Sequence, residues 1–159
     1  MQGPRDSIIA IAATMSLLVG CEADRSDNDV DADEAAINVL IEEMTDAFEA
    51  RNWESFAGFF ADDGVWMPPG VAPLTGKNEW WTLVQPWWSK STVLESSVLT
   101  EDLIVSGDWA IERHVDYQMT IFGDGAEPMP LHFKGIYILR RQEDGSWKIA
   151  QYIWNENIP

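Results

Sequence analysis

Apolar residues recur at helical spacing in the first half of the chain and at alternate positions in the second. Ile37, Leu40, Ile41, Met44, Ala47 and Phe48 form one stripe with the period of an α-helix, and Asp33 ahead of them is a plausible cap. Asn52 can cap a shorter helix whose apolar side is Trp53, Phe56, Phe59 and Phe60, with Asp62-Asp63-Gly64 ending it. Val65-Trp66-Met67 is a short extended segment before the Pro68-Pro69-Gly70 break, and a third helix runs from Lys77 toward Trp88, disturbed by Pro86. From Ser91 onward the period becomes two. Strands are expected over Ser91–Val105, Trp109–Phe122, Leu131–Arg141 and Ser146–Asn155, with turns at Gly107-Asp108, Gly123-Asp124-Gly125 and Glu143-Asp144-Gly145. Helices first and a strand meander second argue an α+β domain, with the helices on one face of a curved antiparallel sheet.

The first residues carry a different pattern. A short apolar run from Ile8 follows Arg5 and ends in Leu18-Val19-Gly20-Cys21. It is too short to span a bilayer, which needs ~20 apolar residues, and it has the layout of a secretory signal. Cys21 is the only cysteine, so no intramolecular disulfide is available. A cysteine at that place resembles the lipoprotein signal of bacteria, which implies a lipidated Cys21 and a protein in the cell envelope, anchored to a membrane and facing the periplasm or the exterior. The alternative is an ordinary signal peptide that happens to hold a cysteine. Residues 22 to 34 then carry seven carboxylates and almost no apolar side chain, the composition of a disordered tether. The expected organisation is a signal over 1–20, an acidic tether over 21–34 and one domain over 35–159.

Charge narrows the partners. A net charge of -17 repels phosphate backbones and anionic headgroups, which excludes nucleic acid and leaves the lipid as the route to a membrane. Nine tryptophans suit either a core or a pocket with aromatic walls. The Trp80-Trp81 and Trp87-Trp88 pairs suit the pocket better than the rest, since neighbours on a helix cannot both face one core.

Several segments carry a resemblance. Phe60-Ala61-Asp62-Asp63-Gly64-Val65, Leu74-Thr75-Gly76-Lys77, the run Gly135 to Gln142, Asp144 to Ala150 and Ile153-Trp154-Asn155 together resemble the SnoaL-like and DUF4440 groups of the cone-shaped NTF2-like superfamily. The resemblance covers about residues 35 to 158. It implies three helices packed on a curved sheet around a pocket, and a homodimer paired through the outer sheet face. It does not imply a function, since the family hosts enzymes, binding modules and dimerisation domains. Placing Ala150, Tyr152, Trp154, Phe133, Tyr137 and Leu139 on the inner side also follows from it.

Alternation on the strand Trp109–Phe122 sorts Ile111, Arg113, Val115, Tyr117, Met119 and Ile121 on one face and Glu112, His114, Asp116, Gln118 and Thr120 on the other. The apolar set is expected inward. Arg113 then either anchors a carboxylate or enolate of a ligand, pairs with Asp46 or Glu49 of the first helix, or reaches solvent at the strand's end. Trp66, Tyr117, Tyr152 and Trp154 complete the expected ligand walls, with Tyr152 a second hydrogen-bonding group. His114 and His132 fall on the expected outer face, where His114 between carboxylates would tighten a dimer below about pH 6. Asp63 reads as a turn residue and Lys77 as the start of a helix. No metal spacing and no phosphate loop is present, so neither metal nor cofactor is expected. Ketosteroid isomerases in this superfamily use an aspartate base with a tyrosine and an aspartic acid. Those positions fall at about Met44, at Met67 or Pro68, and near Gly135, so that chemistry is missing in that form. Two functions from different classes remain: a binder of a small apolar or mildly anionic molecule, or a cofactor-independent isomerase, cyclase or hydratase with a rearranged site. A dimerisation module with a vestigial pocket is a third.

Overall fold

The structure, a computed structural model, describes residues 27–157. Cys21, its signal and the first part of the expected tether lie outside the described residues. Helix α1 (Asp27–Glu49) is the longest, and its stripe Ile37, Leu40, Ile41, Met44 and Ala47 is buried. It is helical from the first described residue, so residues 27–34 are helix where tether was expected. Asp33 is therefore no cap. It lies inside α1, where it pairs with Arg141 and accepts a 3.4 Å bond from Trp147 Nε1. A short helix α2 (Trp53–Gly58) is capped by Asn52, whose side chain accepts from the Ser55 N–H at 3.1 Å, as its sequence position suggests.

Strand β1 (Phe60–Met67) absorbs Asp62-Asp63-Gly64 as an irregular stretch and does not end the helix there. After β2 (Leu74–Thr75), helix α3 (Gly76–Trp88) carries Pro86 within it. The long strands follow as β3 (Ser91–Ser106), β4 (Trp109–Phe122), β5 (Met129–Arg141) and β6 (Trp147–Glu156). They form one six-stranded sheet in the order β2-β1-β6-β5-β4-β3. All neighbours are antiparallel except β1 and β6, which run parallel, so the sheet is mixed where pure antiparallel pairing was expected. Irregularities in β3 after Val93 and after Thr100 bend the long edge strand, as bulges do.

The tryptophan pairs divide their labour. Trp80 is fully buried and stacks on Trp66 at 4.8 Å, whereas Trp81 packs on Trp53 at 4.8 Å. Trp88 is buried under the Arg51 guanidinium, 4.5 Å from its ring, and Trp87 turns to the cavity described next.

Candidate functional site

Register decides what faces the helices. Across β4 and β5, Glu112 pairs with Tyr137, His114 with Gly135 and Asp116 with Phe133. Tyr137 and Leu139 are buried beneath the helices, so the even-numbered residues of β4 share their side. Glu112, His114, Asp116, Gln118 and Thr120 are all buried. The expected polarity of β4 is thus reversed. Polar side chains inside a sheet are costly unless bonded; several of these bond one another, while His114 Nε2, Asp116 Oδ1 and Thr120 Oγ1 have no hydrogen-bond partner. Thr100 Oγ1 donates to Glu112 Oε1 at 2.8 Å, His114 Nδ1 lies 2.6 Å from Glu112 Oε2, and Gln118 Nε2 donates to Asp116 Oδ2 at 3.1 Å. Gly135 makes room for the imidazole, because a Cβ there would sit 2.5 Å from His114 Nε2.

Arg113 and Tyr117 are accordingly displaced from the site proposed for them. Arg113 is on the outer face, half exposed, and pairs with Glu101 of β3. There the guanidinium keeps its hydration, which an inner position would have stripped. Glu49 instead accepts from the Ser96 N–H. Tyr117 packs beside His132 on the outer face at 5.2 Å. His114 is fully buried inside the fold, so it cannot tune a contact made by the outer face.

Between the helices and the inner sheet face lies a cavity of about 350 Å³. Trp66, Tyr152 and Trp154 line it, joined by Phe48, Trp87 and Phe133. Met44, Pro68 and Pro69 lie in its wall, and Asp116 and Gln118 reach it from β4. Among the described residues that line it there is no lysine, arginine or histidine, so the wall brings no cation to pair with an anionic ligand.

Asp116 is the ionisable acid of this wall. Burial raises its carboxyl from 3.8 to about 6, against smaller downward pulls from the Gln118 hydrogen bond and the His114 charge. Its Oδ1 has no hydrogen-bond partner, and neither has the buried Nε1 of Trp66. Tyr137 and Tyr152, hydrogen-bonded to each other, are held well above the usual phenol range, chiefly by burial, and so stay neutral. A carboxyl poised near neutrality in an apolar pocket can take a proton from a bound molecule and return it. Among the described residues no three His, Cys, Asp or Glu side chains gather to hold a metal ion. Sequence reasoning missed Asp116 and Gln118 because it turned β4 over. The available signal was Gly135, a residue without a side chain facing the place of an imidazole.

The family model of the SnoaL-like domain matches residues 41–152. No curated protein matches the chain. Among solved structures, a ketosteroid isomerase-like protein from Erwinia carotovora atroseptica is 22% identical, with a TM-score of 0.70 over 79% of this chain and 96% of that one. A conserved protein from Planctomyces limnophilus is also 22% identical, with a TM-score of 0.71 over 80% and 99%. Hexachlorocyclohexane dehydrochlorinase LinA-type3 from Novosphingobium barchaimii is 20% identical, with a TM-score of 0.68 over 84% and 92%. These likenesses are of fold, the cone-shaped NTF2-like α+β architecture. The family model spans α2, α3 and the strand segments that carry Asp116 and Tyr152, and the chain belongs to the SnoaL-like domain family.

Proposed function

We propose that the domain catalyses cofactor-independent proton transfer at a carbon atom of a small, uncharged, largely apolar molecule held in the cavity, with Asp116 as general base. The observation that carries this reading is the Asp116 carboxyl itself, buried in an apolar wall, raised to about 6, and with Oδ1 free to accept a proton. At neutral pH such a group is ionised, yet basic enough to act. Gln118 holds the other oxygen and so aims the free one. The names of two solved relatives, an isomerase-like protein and a dehydrochlorinase, lend support at the level of reaction type. The mildly anionic ligand loses its basis once Arg113 leaves the pocket.

The test incubates the protein in heavy water with a panel of cyclic ketones and polychlorinated cyclohexanes, following carbon-bound deuterium and chloride release. Asp116→Asn should lower the rate about 10²–10⁴-fold while ligands still quench tryptophan fluorescence. An undiminished rate in that variant overturns the assignment of the base. Binding without any turnover by the wild type favours the other reading, a non-catalytic binder, to which the aromatic walls are equally suited.

The remaining proposals concern place and assembly. Lipidation of Cys21 would anchor the protein in the bacterial envelope, and Cys21→Ser should then leave the membrane fraction. Equal retention of both forms refutes the anchor. Leu99, Ile104, Ile111 and Ile153 are exposed apolar residues of the outer sheet face, and we assign that face to pairing with a second copy.

A further inference from the structure

We propose that the cavity binds a second class of ligand, a small organic cation of the quaternary ammonium kind, seated against the rings of Phe133, Tyr152 and Trp154. The inference goes beyond the uncharged substrate read above and does not rest on Asp116 acting as a base.

Charge in and around the cavity has one sign. Among the described residues its wall holds no lysine, arginine or histidine, while it does hold Asp116. Behind the wall His114 is matched by Glu112 at 2.6 Å, so that histidine brings no uncompensated positive charge toward the cavity. The whole chain carries -17, which draws cations toward any opening in its surface and does nothing for a neutral molecule.

Aromatic rings supply the seat. The face of such a ring is the negative end of its quadrupole and attracts a cation within about 6 Å of its centre. Some faces in this wall are taken. Trp66 stacks on Trp80, and Phe48 lies nearly parallel to Trp87, whose ring centre is also 5.6 Å from the Arg51 guanidinium. Arg51 is no part of the cavity wall, so this aromatic cluster holds one cation outside it. Trp154 is placed differently. It is half-buried in the wall, and its one ring contact among the described residues is Phe133, perpendicular to it at 5.2 Å. Ring surface therefore remains for a ligand, with Tyr152 two residues along on the same face of β6.

The kind of cation follows from what the wall withholds. Asp116 Oδ1 has no hydrogen-bond partner, yet it is closed to water, as is Trp66 Nε1. A primary ammonium would give up its hydration without reaching that oxygen in return. A quaternary ammonium has no N–H to leave unpaired. It needs only the field of the carboxylate, which apolar surroundings screen far less than water does.

The probes are benzyltrimethylammonium, its uncharged carbon isostere neopentylbenzene, and benzylammonium, each titrated calorimetrically at pH 7.5. The wild type should bind the quaternary ion at least about tenfold more tightly than either of the others. Asp116→Asn should lower that affinity by about tenfold or more and leave neopentylbenzene unchanged. Stepwise fluorination of the Trp154 ring keeps its shape but lowers the negative charge on its face. The logarithm of affinity for the quaternary ion should then fall in step with the number of fluorines, a trend that mere packing does not produce. Equal affinity for the quaternary ion and neopentylbenzene, tighter binding of benzylammonium, or no trend with fluorination overturns the proposal. So does an Asp116→Asn protein that holds the ion as tightly as the wild type. Deuterium exchange reads the base separately: its absence beside tight binding of the ion refutes the base alone, and exchange without such binding refutes the cation alone.

Discussion

Replacing Asp116 by asparagine should make the protein more stable, and only above a defined pH. Burial lifts this carboxyl from 3.8 to about 6. At about 1.4 kcal/mol per pH unit, holding it ionised costs the fold about 3 kcal/mol. Asparagine is neutral and its oxygen can still accept from Gln118, but its amide donor would replace the unpartnered Oδ1, returning about 1 kcal/mol of the gain. The net advantage at pH 8 is about 2 kcal/mol, or about 6 °C in melting temperature for a domain of this size. The sign follows from proton binding. Between about pH 4 and 6 the folded wild type holds more protons at this site than the unfolded chain does, so its stability falls as pH rises through that window. The variant lacks this loss. By the same sum the variant should be about 0.5 kcal/mol weaker than wild type near pH 4, overtake it between about pH 4 and 5, and hold a level advantage above pH 7. Urea unfolding of both proteins across that range measures it, and a carbon-13 titration of the Asp116 carboxyl should show a midpoint near 6. A constant difference at every pH, or a variant weaker than wild type at pH 8, would refute the reasoning that Asp116 is a strained, buried acid.

Three further outcomes follow from the same geometry. Gly135→Ala puts a methyl 2.5 Å from His114 Nε2 and 3.0 Å from the Ile153 carbonyl, so it should destabilise by about 1–3 kcal/mol, read as a lower urea midpoint; an unchanged midpoint contradicts the close approach. Arg113→Met removes a solvent-exposed pair and should change stability by no more than about 0.5 kcal/mol, with ketone binding unaltered; a larger loss of either would put Arg113 back in the core. Ile111→Lys introduces a charge into the exposed apolar face and should shift sedimentation from dimer to monomer, whereas a wild type that is already monomeric at high concentration removes the pairing proposal.

The fold was legible wherever a local rule sufficed. The α1 stripe, the Asn52 cap and the bounds of β4 follow from periodicity and turn chemistry over a few residues. The inner residues of β5 and β6 were legible through family likeness. What failed was long-range. Which face of β4 turns inward depends on a single residue of register with β5, across a Gly- and Pro-bearing connection whose geometry no local pattern fixes. Both faces of β4 look plausible inside, because its apolar side also serves an exposed patch and its polar side bonds itself. Hydrophobicity chose the wrong one, and with it Arg113 and Tyr117 in place of Asp116 and Gln118. The parallel pairing of β1 with β6 was equally hidden, since nothing near either strand announces it.

That parallel pair has a consequence for how the protein is made. Trp66 and Tyr152 are direct partners across it, though one belongs to the first strand and the other to the last. A ribosome releases α1, α2, α3 and five of the six strands before β6 emerges to slot between β1 and β5. Until then Trp66 and Tyr137 are bare of the tyrosine that joins them, and the inner edges of two strands stand open. The cavity is therefore the last feature to exist, and its closure links distant parts of the chain, which makes it a slow step. A nascent chain stalled short of Trp147 would carry α1, α2, α3 and the inward polar row of β4 with no site among them.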